Sequence, residues 1–551
     1  MSISLRQGNC SLVNVVKSAL RYRSSNHGPL NPSSTMDRCR LLNNKFPRVF
    51  STATAAHDQS LNAFPSIVIG ANTLSPQGSF AEAQAHFLKP DENAVEELAV
   101  NLLKSNMGVV AHYYMDVELQ AVLTAVHKGQ QLSGGKSRIA IADSLAMGDF
   151  AVKMCEEGAT SIACLGVDFM SESVATIMTR NGFGHIPVYR ATSKSIGCSL
   201  AESAERDSYR AWLHKGKAAN PSSLHIVYIN TSLETKAVSS SIMPTITCTS
   251  SNVMLTMLQA SAQIPDISIL YGPDTYMGEN LVNMFDAILK AGWTDDQIKR
   301  DLHPLHNKDS IRRLRDCIDV FPNGNCVVHH MFGGEVVRTV KENYDDAFVS
   351  AHLEVPGEMF EIAMEKSLEG KGVVGSTSDI LKFISEKVTE AAKEDTTQKK
   401  RLKFILGTEA GMVTSIVKSA QEILQLANSS NVEAEIIFPV SSEAVMGTED
   451  SELAVVPGVA GGEGCSTAGG CATCPFMKMN DLDALNDVID LVIKNEHEFK
   501  LKSFLPPDKL RGKKIDGTCA IDLGSEPIIF MRNFMKEKSI PLPLVQKITG
   551  S

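Results

Sequence analysis

Three cysteines in one glycine-rich stretch offer the clearest chemistry in this sequence. Residues 464–480 contain Cys465, Cys471 and Cys474, and Pro475 directly follows the last thiol. Glycine lets a backbone wrap closely around a bulky group, and a proline often follows a cysteine that ligates an iron-sulfur cluster. The stretch therefore predicts a metal or cluster loop. On the spacing alone, a redox pair, a zinc knuckle and coincidence stay open.

This loop does not complete a metal site by itself. No second C-x-x-C pair follows to make a four-thiolate zinc site, so further ligands must come from distant parts of the chain. The 12 cysteines of the chain are too scattered for a disulfide scaffold, which indicates a reducing compartment. Several stand in no motif and are interpreted as buried or incidental thiols; they are Cys10, Cys39, Cys155, Cys164, Cys317 and Cys519.

Polar residues that close short apolar runs are a second source of chemistry. His112 and Tyr114 end one such run, where a histidine and a tyrosine can bind a carboxylate and shuttle protons. Packing is the alternative role for either residue alone. Hydroxyl side chains stand at predicted strand-to-helix turns, where anions are received and where helix capping is equally compatible; they are Ser144, Ser250, Ser376 and Thr377.

The apolar runs themselves predict the fold class. Each run ends abruptly in polar residues and is followed by a helical pattern, which indicates parallel strands covered on both faces by helices. The runs are residues 109–114, 139–144, 162–168, 224–230, 246–250, 267–273, 326–330, 347–354, 372–377, 404–409 and 436–441. We therefore expect an α/β protein whose strand ends form the ligand site.

The number of predicted strands bears on the architecture. There are too many for one comfortable doubly wound sheet, so we expect several small α/β units that share one polar centre. A single (β/α)₈ barrel is the alternative that strand periodicity leaves open.

Charge and motifs exclude several classes of partner. A net charge of -10 argues against nucleic-acid binding, and no run of about 20 apolar residues predicts a membrane span. The chain has no G-x-G-x-x-G after the first strand and no G-x-x-x-x-G-K-[ST], so neither a dinucleotide nor a nucleoside triphosphate site is indicated. An anionic substrate would have to be held by local dipoles and a few cations.

Residues 1–60 differ in composition from the rest. They are rich in arginine and serine and contain only Asp37 and Asp58 as acids, a composition typical of organellar transit peptides. We exclude this segment from the fold and expect a plastid location. A mitochondrion is the alternative, since the sequence at residues 48–51 suits a processing site.

Taken together, the strand-end motifs resemble the quinolinate synthase family, the iron-sulfur enzymes of NAD biosynthesis, in its plant and algal branch. The matches follow the family order over roughly residues 79–545. They lie at residues 111–116, 142–145, 166–172, 197–200, 228–232, 248–252, 325–329, 352–354, 375–377, 407–409 and 474–480.

The resemblance implies three similar three-layer α/β domains with parallel sheets, arranged with pseudo-threefold symmetry around a central [4Fe-4S] cluster. We expect them at residues 79–195, 196–322 and 323–475, with a C-terminal helical segment at 476–551 that packs back on the core. One cysteine of each domain would ligate the cluster, namely Cys198, Cys326 and Cys474. Cys465 and Cys471 then become loop thiols or a reversible disulfide.

The activity implied is condensation of iminoaspartate with dihydroxyacetone phosphate to quinolinate, phosphate and water. Three ligands for four irons leave one position open, where the cluster can act as a Lewis acid. A non-catalytic iron-sulfur scaffold or sensor is one alternative, and a hydro-lyase acting on another substrate is a second. A scaffold would not need the polar strand ends that this chain carries.

The resemblance also implies roles for individual residues. Glu354, His352, Tyr114 and His112 are the expected catalytic residues, with Glu354 as the principal acid-base group. Leu353 stands between His352 and Glu354, where bacterial members have proline. The expected substrate-binding residues are His112, Ser144, Tyr228, Ile229, Asn230, Ser250, His352, Leu353, Glu354, Ser376 and Thr377.

Partners follow from the same resemblance. L-aspartate oxidase is implied as the source of iminoaspartate. The plant enzymes usually carry a SufE-type sulfur-transfer domain that finds no room before residue 79 here, so we expect an external SufE-type donor. The sequence leaves the oligomeric state open, with a homodimer as one option.

Overall fold

A computed structural model of the chain describes residues 64–134, 136–394, 398–439, 473–494 and 498–550. The predicted transit segment, Cys465 and Cys471 lie outside the described residues. Within these ranges no helix is both long enough and apolar enough to cross a bilayer.

In the described ranges fourteen strands form three separate sheets, and a short hairpin follows near the C-terminus. In chain order the strands are β1 (Ser66–Ile69), β2 (Leu74–Gln77), β3 (Met107–His112), β4 (Ile139–Ala142), β5 (Ser161–Leu165), β6 (Val188–Arg190), β7 (Ser223–Tyr228), β8 (Thr245–Cys248), β9 (Ser268–Gly272), β10 (Ile318–Val320), β11 (Phe348–His352), β12 (Gly372–Gly375), β13 (Lys400–Gly407) and β14 (Val432–Ile437). The hairpin consists of β15 (Lys514–Ile515) and β16 (Thr518–Cys519).

The three sheets repeat one topology. Their orders are β4-β3-β5-β6, β8-β7-β9-β10 and β12-β11-β13-β14, so each places its second strand first, followed by its first, third and fourth. All neighbours within these twelve strands are parallel. The third sheet continues beyond β14 into β1 and β2, both antiparallel. The predicted α/β class with three similar parallel-sheet units is confirmed, and the single barrel is wrong.

Helices cover the sheets on both faces. The first unit contains Glu92–Ser105, Val117–Leu132, Ala146–Glu156 and Asp168–Arg180. The second contains Ser199–Glu205, Asp207–Ala219, Leu233–Ile242, Val253–Gln263, Thr275–Lys290, Asp295–Gln297, a π-helix at Ile298–Leu302, and Lys308–Asp316. The third contains a 3₁₀ helix at His329–Phe332, then Glu335–Asn343, Gly357–Leu368, Thr377–Ala392, a 3₁₀ turn at Ala410–Met412, and Val413–Leu426.

The C-terminal segment spreads over two units. It contains a 3₁₀ turn at Met477–Met479 and the helices Leu482–Lys494, Glu498–Lys502, Ala520–Glu537 and Leu542–Thr549. Leu485, Val488 and Ile489 of the helix after the cysteine loop join the hydrophobic core of the first unit. Helix Ala520–Glu537 lies against helix Leu233–Ile242 of the second unit, so the segment ties two units together.

The N-terminal part of the described chain belongs to the third unit. Phe80, at the start of helix Ser79–Phe87, packs edge-on against Phe438 at 5.1 Å between ring centroids. Phe80 and Ala81 share the core of the third sheet. This differs from the domain start expected at residue 79, because the helix follows β2 onto that sheet.

One predicted strand is absent from the described sheets. Residues 326–330, read as a strand, form a turn and the start of a 3₁₀ helix instead, since the carbonyl of Cys326 accepts the N–H of His330 at 3.0 Å. Two apolar valines between polar residues imitate a short strand. The turn presents Cys326 toward the centre of the molecule.

Helix starts lie close to the strand ends because polar side chains cap them there. Asp116 accepts the N–H of Glu118 at 2.9 Å, and Asp274 accepts that of Met277 at 2.7 Å. Side-chain caps of this kind fix where a helix begins. Consequently each parallel sheet presents helix N-termini and polar strand ends at the same edge.

Candidate functional site

The carboxyl ends of the three parallel sheets line one cavity of about 860 Å³, a volume that includes its open mouth. All three predicted cysteines, Cys198, Cys326 and Cys474, line this cavity. They come from loops that follow the fourth strands of the three units. The repeated topology thus brings together thiols that are more than 100 residues apart in sequence.

The repeat also places equivalent side chains at the cavity. The last residue of each first strand and the second residue beyond it are His112 and Tyr114, Tyr228 and Asn230, and His352 and Glu354. Two residues beyond each second strand stand Ser144, Ser250 and Thr377. Each unit therefore contributes the same set of positions with a different chemistry.

Nearly all sequence-predicted site residues reach the cavity, and Ile229 and Ser376 are among its lining residues. Leu353 does not line it. This side chain is fully buried in the core, and its carbonyl accepts the amide of Asn280 at 3.0 Å. In the strand end His352–Glu354 the two polar neighbours face the cavity while Leu353 points the opposite way, as alternation along an extended chain requires.

Glu354 is the centre of a buried polar cluster that we name the Glu354 corner, formed by Glu354, Tyr228, His329 and His352. The Tyr228 hydroxyl donates to Oε1 of Glu354. His329 Nδ1 lies 3.1 Å from Oε2, and the His329 ring stacks on His352 with centroids 4.9 Å apart. Burial alone would raise the pKa of Glu354, but the two histidines and the phenol lower that pKa to about 2. The carboxylate is therefore charged, and each of its two oxygens has a polar neighbour.

Backbone N–H groups fix the same tautomer in two histidines at equivalent strand ends. The N–H of Tyr114 donates to His112 Nδ1 at 3.2 Å, and the N–H of Glu354 donates to His352 Nδ1 at 3.3 Å. Because Nδ1 accepts in both, the ring proton of the neutral form lies on Nε2. Burial lowers the pKa of His112 and of His352 to about 4. Both rings are thus neutral Nε2–H donors near neutral pH.

Tyr114 reaches across the cavity to the third unit. Its hydroxyl lies 2.7 Å from Thr377 Oγ1 and 3.4 Å from Thr408 Oγ1. Burial, Glu409 and Glu354 all raise the pKa of this phenol, so it remains protonated. Gly411 permits the approach, since a Cβ there would lie 2.9 Å from the Tyr114 backbone.

The predicted hydroxyl residues divide into two kinds. Ser376 caps helix Thr377–Ala392 and donates to Asp379 Oδ2 at 2.7 Å. In the first unit Asp143 takes the capping role, accepting the N–H of Ala146 at 2.9 Å. The hydroxyls of Ser144 and Ser250 consequently have no protein partner among the described residues and remain available to a ligand.

The three cysteines are partly buried in the cavity wall. Burial raises the pKa of Cys198 to about 12 and raises the pKa values of Cys326 and Cys474 well above normal. Such thiols become thiolates when a metal replaces their protons. Cys198 raises the pKa of Cys474, and Cys474 raises the pKa of Cys326, so the three groups are close enough to interact.

The cysteine loop of the C-terminal segment is anchored to the first unit. Asn480 is completely buried, and its Oδ1 accepts the N–H of Gly166, at the end of β5, at 3.0 Å. Its amide also donates to the carbonyl of Met477 at 3.2 Å. These bonds fix the turn that carries Cys474.

Two cavity residues were missed by the sequence reasoning. His329 has an Nε2 without a hydrogen-bond partner in the described part of the chain, and Glu409 has an Oε2 in the same condition. Cys326, His329 and Glu354 also bring three potential ligand atoms within 4.8 Å of one another. The pattern glycine, any residue, acid occurs three times, beginning at Gly166, Gly272 and Gly407. This repetition is the sequence signal that would have indicated Glu409.

Comparisons with known proteins identify the family of the chain. A family model described as quinolinate synthetase A protein matches residues 95–503. A chloroplastic quinolinate synthase of Nicotiana tabacum is 48% identical over 495 residues, 88% of this chain and 67% of the relative. One of Arabidopsis thaliana is 46% identical over 499 residues, 89% of this chain and 67% of the relative.

A bacterial relative extends the comparison. The quinolinate synthase of Prochlorococcus marinus strain MIT 9313 is 26% identical over 451 residues, 81% of this chain and 96% of the relative. This chain spans about two thirds of the length of its plant relatives. The resemblance inferred from the strand-end motifs is confirmed: the chain belongs to the quinolinate synthase family.

Proposed function

We propose that this chain is a plastid quinolinate synthase that condenses iminoaspartate with dihydroxyacetone phosphate in the central cavity. The observation that carries the proposal is the convergence of three cysteines and the polar strand ends of all three units on one cavity. The plant relatives are named chloroplastic, which supports the plastid location predicted from residues 1–60.

We assign the cofactor as a [4Fe-4S] cluster held by Cys198, Cys326 and Cys474. Three partly buried thiols on one cavity suit iron-sulfur ligation. When bound, the cluster would supply an open iron as a Lewis acid that polarises a substrate oxygen or nitrogen.

The second unit supplies the binding edge for iminoaspartate. Tyr228 and Asn230 flank Ile229 at the end of β7, and all three line the cavity. A phenol and an amide can both donate to carboxylate oxygens. The neutral His112, with its Nε2–H available, can donate as a third group from the first unit.

The Glu354 corner supplies proton transfer. The carboxylate accepts from Tyr228, lies 3.1 Å from His329 Nδ1, and is deprotonated at neutral pH. A buried carboxylate beside the neutral imidazole of His352 can take a proton from a substrate carbon and return it to a leaving hydroxyl. His352 Nε2–H can donate a hydrogen bond to a substrate oxygen beside that carbon.

Dihydroxyacetone phosphate requires an anion site. The free hydroxyls of Ser144 and Ser250, together with Thr377 at the N-terminus of helix Thr377–Ala392, offer donors at equivalent positions of the three units. Helix N-termini and hydroxyls at strand-to-helix turns bind phosphate through N–H and O–H groups. This part of the cavity can therefore take the phosphate.

The direct test is an anaerobic assay for quinolinate, with iminoaspartate generated in place and dihydroxyacetone phosphate added. We expect quinolinate and stoichiometric phosphate from the iron-loaded protein. Loaded protein that binds both substrates and forms no quinolinate would contradict the proposal.

Two associations follow as proposals from the same reaction. Iminoaspartate is unstable in water, so an L-aspartate oxidase is the partner that would supply it. An external SufE-type sulfur donor would serve cluster assembly, and a homodimer is one option for the assembly state.

A further inference from the structure

No lysine or arginine side chain appears among the described residues that line the cavity. The proposed substrates carry two carboxylates and one phosphate, which attract cations strongly in a poorly solvated site. A buried cation nevertheless stands directly behind one wall. It is Lys236, only 1% exposed, on helix Leu233–Ile242.

The ammonium of Lys236 is bound by the loop that carries the substrate-binding residues. Nζ donates to the carbonyl of Ile229 at 3.2 Å, to Thr231 Oγ1 at 2.9 Å and to the carbonyl of Thr231. These three acceptors match the three N–H groups of an ammonium ion. Burial lowers the pKa of Lys236 to about 7 against the opposing effect of nearby Glu172, so the ammonium form is populated at neutral pH and predominates below it.

The charged end of Lys236 lies against the loop at residues 228–231. Glu172, from the first unit, turns its Oε2 to the N–H of Leu233 at 2.7 Å and thereby caps the helix that bears the lysine. The loop thus lies between a buried cation on one side and the cavity on the other.

We propose that Lys236 is a positioning residue that orients and polarises the loop at residues 228–231 toward a dicarboxylate. In a trans peptide the N–H points away from the carbonyl. Holding the Ile229 carbonyl from behind therefore turns the N–H of Asn230 toward the cavity. This inference rests on the proposed function, because it takes iminoaspartate as the ligand of that loop.

The C-terminal segment packs against the helix that bears this lysine, which is itself only 1% exposed. Gly524 of helix Ala520–Glu537 approaches so closely that a Cβ there would lie 2.6 Å from the carbonyl of Leu233. Without bulk water a charge acts over longer distances, since the screening by solvent and ions is reduced. The field of Lys236 consequently reaches across one peptide unit to a bound carboxylate.

The test compares two probes that differ in charge but hardly in shape, succinate and its monoamide succinamate. Binding to the iron-loaded protein is measured by calorimetry for wild type, Lys236→Met and Lys236→Gln. We expect the dissociation constant for succinate to rise about tenfold in both variants, with a smaller rise for succinamate. The KM for iminoaspartate should rise more than kcat falls.

Lys418→Met is the matched control, because Lys418 is a partly buried lysine on helix Val413–Leu426 whose pKa burial lowers to about 8. It should leave binding of both probes unchanged. Lys236→Gln keeps two donors for the loop, so it serves if the methionine variant does not fold. Equal weakening of both probes, or none, would overturn the proposal. Binding alone decides this comparison between the variants. A wild-type protein without turnover would refute the proposed function and would leave the binding test unaffected.

Discussion

Two glutamates face the same cavity in opposite conditions. In the Glu354 corner one carboxylate oxygen accepts from Tyr228 and the other lies beside His329, and the net result is a pKa lowered to about 2. Glu409 has an Oε2 without a partner among the described residues, and burial together with the charge of Glu354 raises its pKa well above normal. The two carboxyl groups are therefore in different protonation states: the charged Glu354 can act as a base, and the neutral form of Glu409 can donate a hydrogen bond into the cavity.

The position of Glu409 in the repeat explains part of the difference. Asp168 stands at the equivalent place of the first unit, where it binds Arg190 at 2.8 Å and Ser195 Oγ at 2.6 Å. That ion pair fixes the loop leading to Cys198. Glu409 has no such cation and lies in the cavity wall. The same position of the repeat therefore has a structural role in the first unit and lines the cavity in the third.

The largest effect should come from Glu354→Gln. The variant keeps the shape of the side chain but loses the charge that two histidines and a phenol support, and removal of a general base typically costs about 10²–10⁴-fold. We expect kcat to fall by about 10³-fold while iron content stays at the wild-type level. Steady-state assays and iron analysis check this, and wild-type turnover would remove Glu354 from the chemistry.

The histidines beside Glu354 make stability depend on pH. Burial lowers the pKa of His112 and of His352 from 6.5 to about 4, so the unfolded chain binds more protons than the folded one between these values. Unfolding free energy should therefore decrease as pH falls from about 6.5 toward 4. Each histidine can add a slope of up to about 1.4 kcal/mol per pH unit.

Urea unfolding at pH 7, 6 and 5 measures this slope. His112→Gln should flatten it by up to one proton, because glutamine does not titrate. An unchanged slope in the His112 variant would show that this ring is charged in the folded protein.

The smallest effect is expected for Glu409→Gln. If Glu409 is already protonated, glutamine retains an acceptor for the N–H of Cys474 and a donor toward the cavity. We expect kcat within about threefold of wild type, and a larger loss for Glu409→Leu, which removes both. A loss from Glu409→Gln as large as that from Glu354→Gln would break the contrast between the two glutamates.

The strands were predictable because parallel strands buried on both faces read as continuous apolar runs. The run at 109–114 and the strand Met107–His112 differ only in their ends. The sequence did not predict the three-residue strands Val188–Arg190 and Ile318–Val320, because they contain too few apolar residues to show the hydrophobic pattern of a strand. The turn at Cys326 was misread as a strand because two valines follow the thiol.

The site was predictable where chemistry sits at strand ends, as with His112 and Glu354. Leu353 was included with its neighbours although its side chain belongs to the core. His329 is the last residue of the motif at 325–329. Its contact with Glu354 joins two loops, so no local sequence pattern predicts that contact. Lys236 looks like an ordinary helical lysine in sequence, and only the tertiary packing buries its charge.

Iron and sulfide content of anaerobically purified variants tests the central claim most directly, that one thiol from each unit holds a common cluster. Cys198→Ser, Cys326→Ser and Cys474→Ser should each lose the cluster, while wild type carries about four irons and four sulfides. Cys248→Ser, at a buried thiol that does not line the cavity, should retain it, as should Cys465→Ser and Cys471→Ser. Equal loss from all six variants, or stoichiometric zinc in the wild type, would contradict the account.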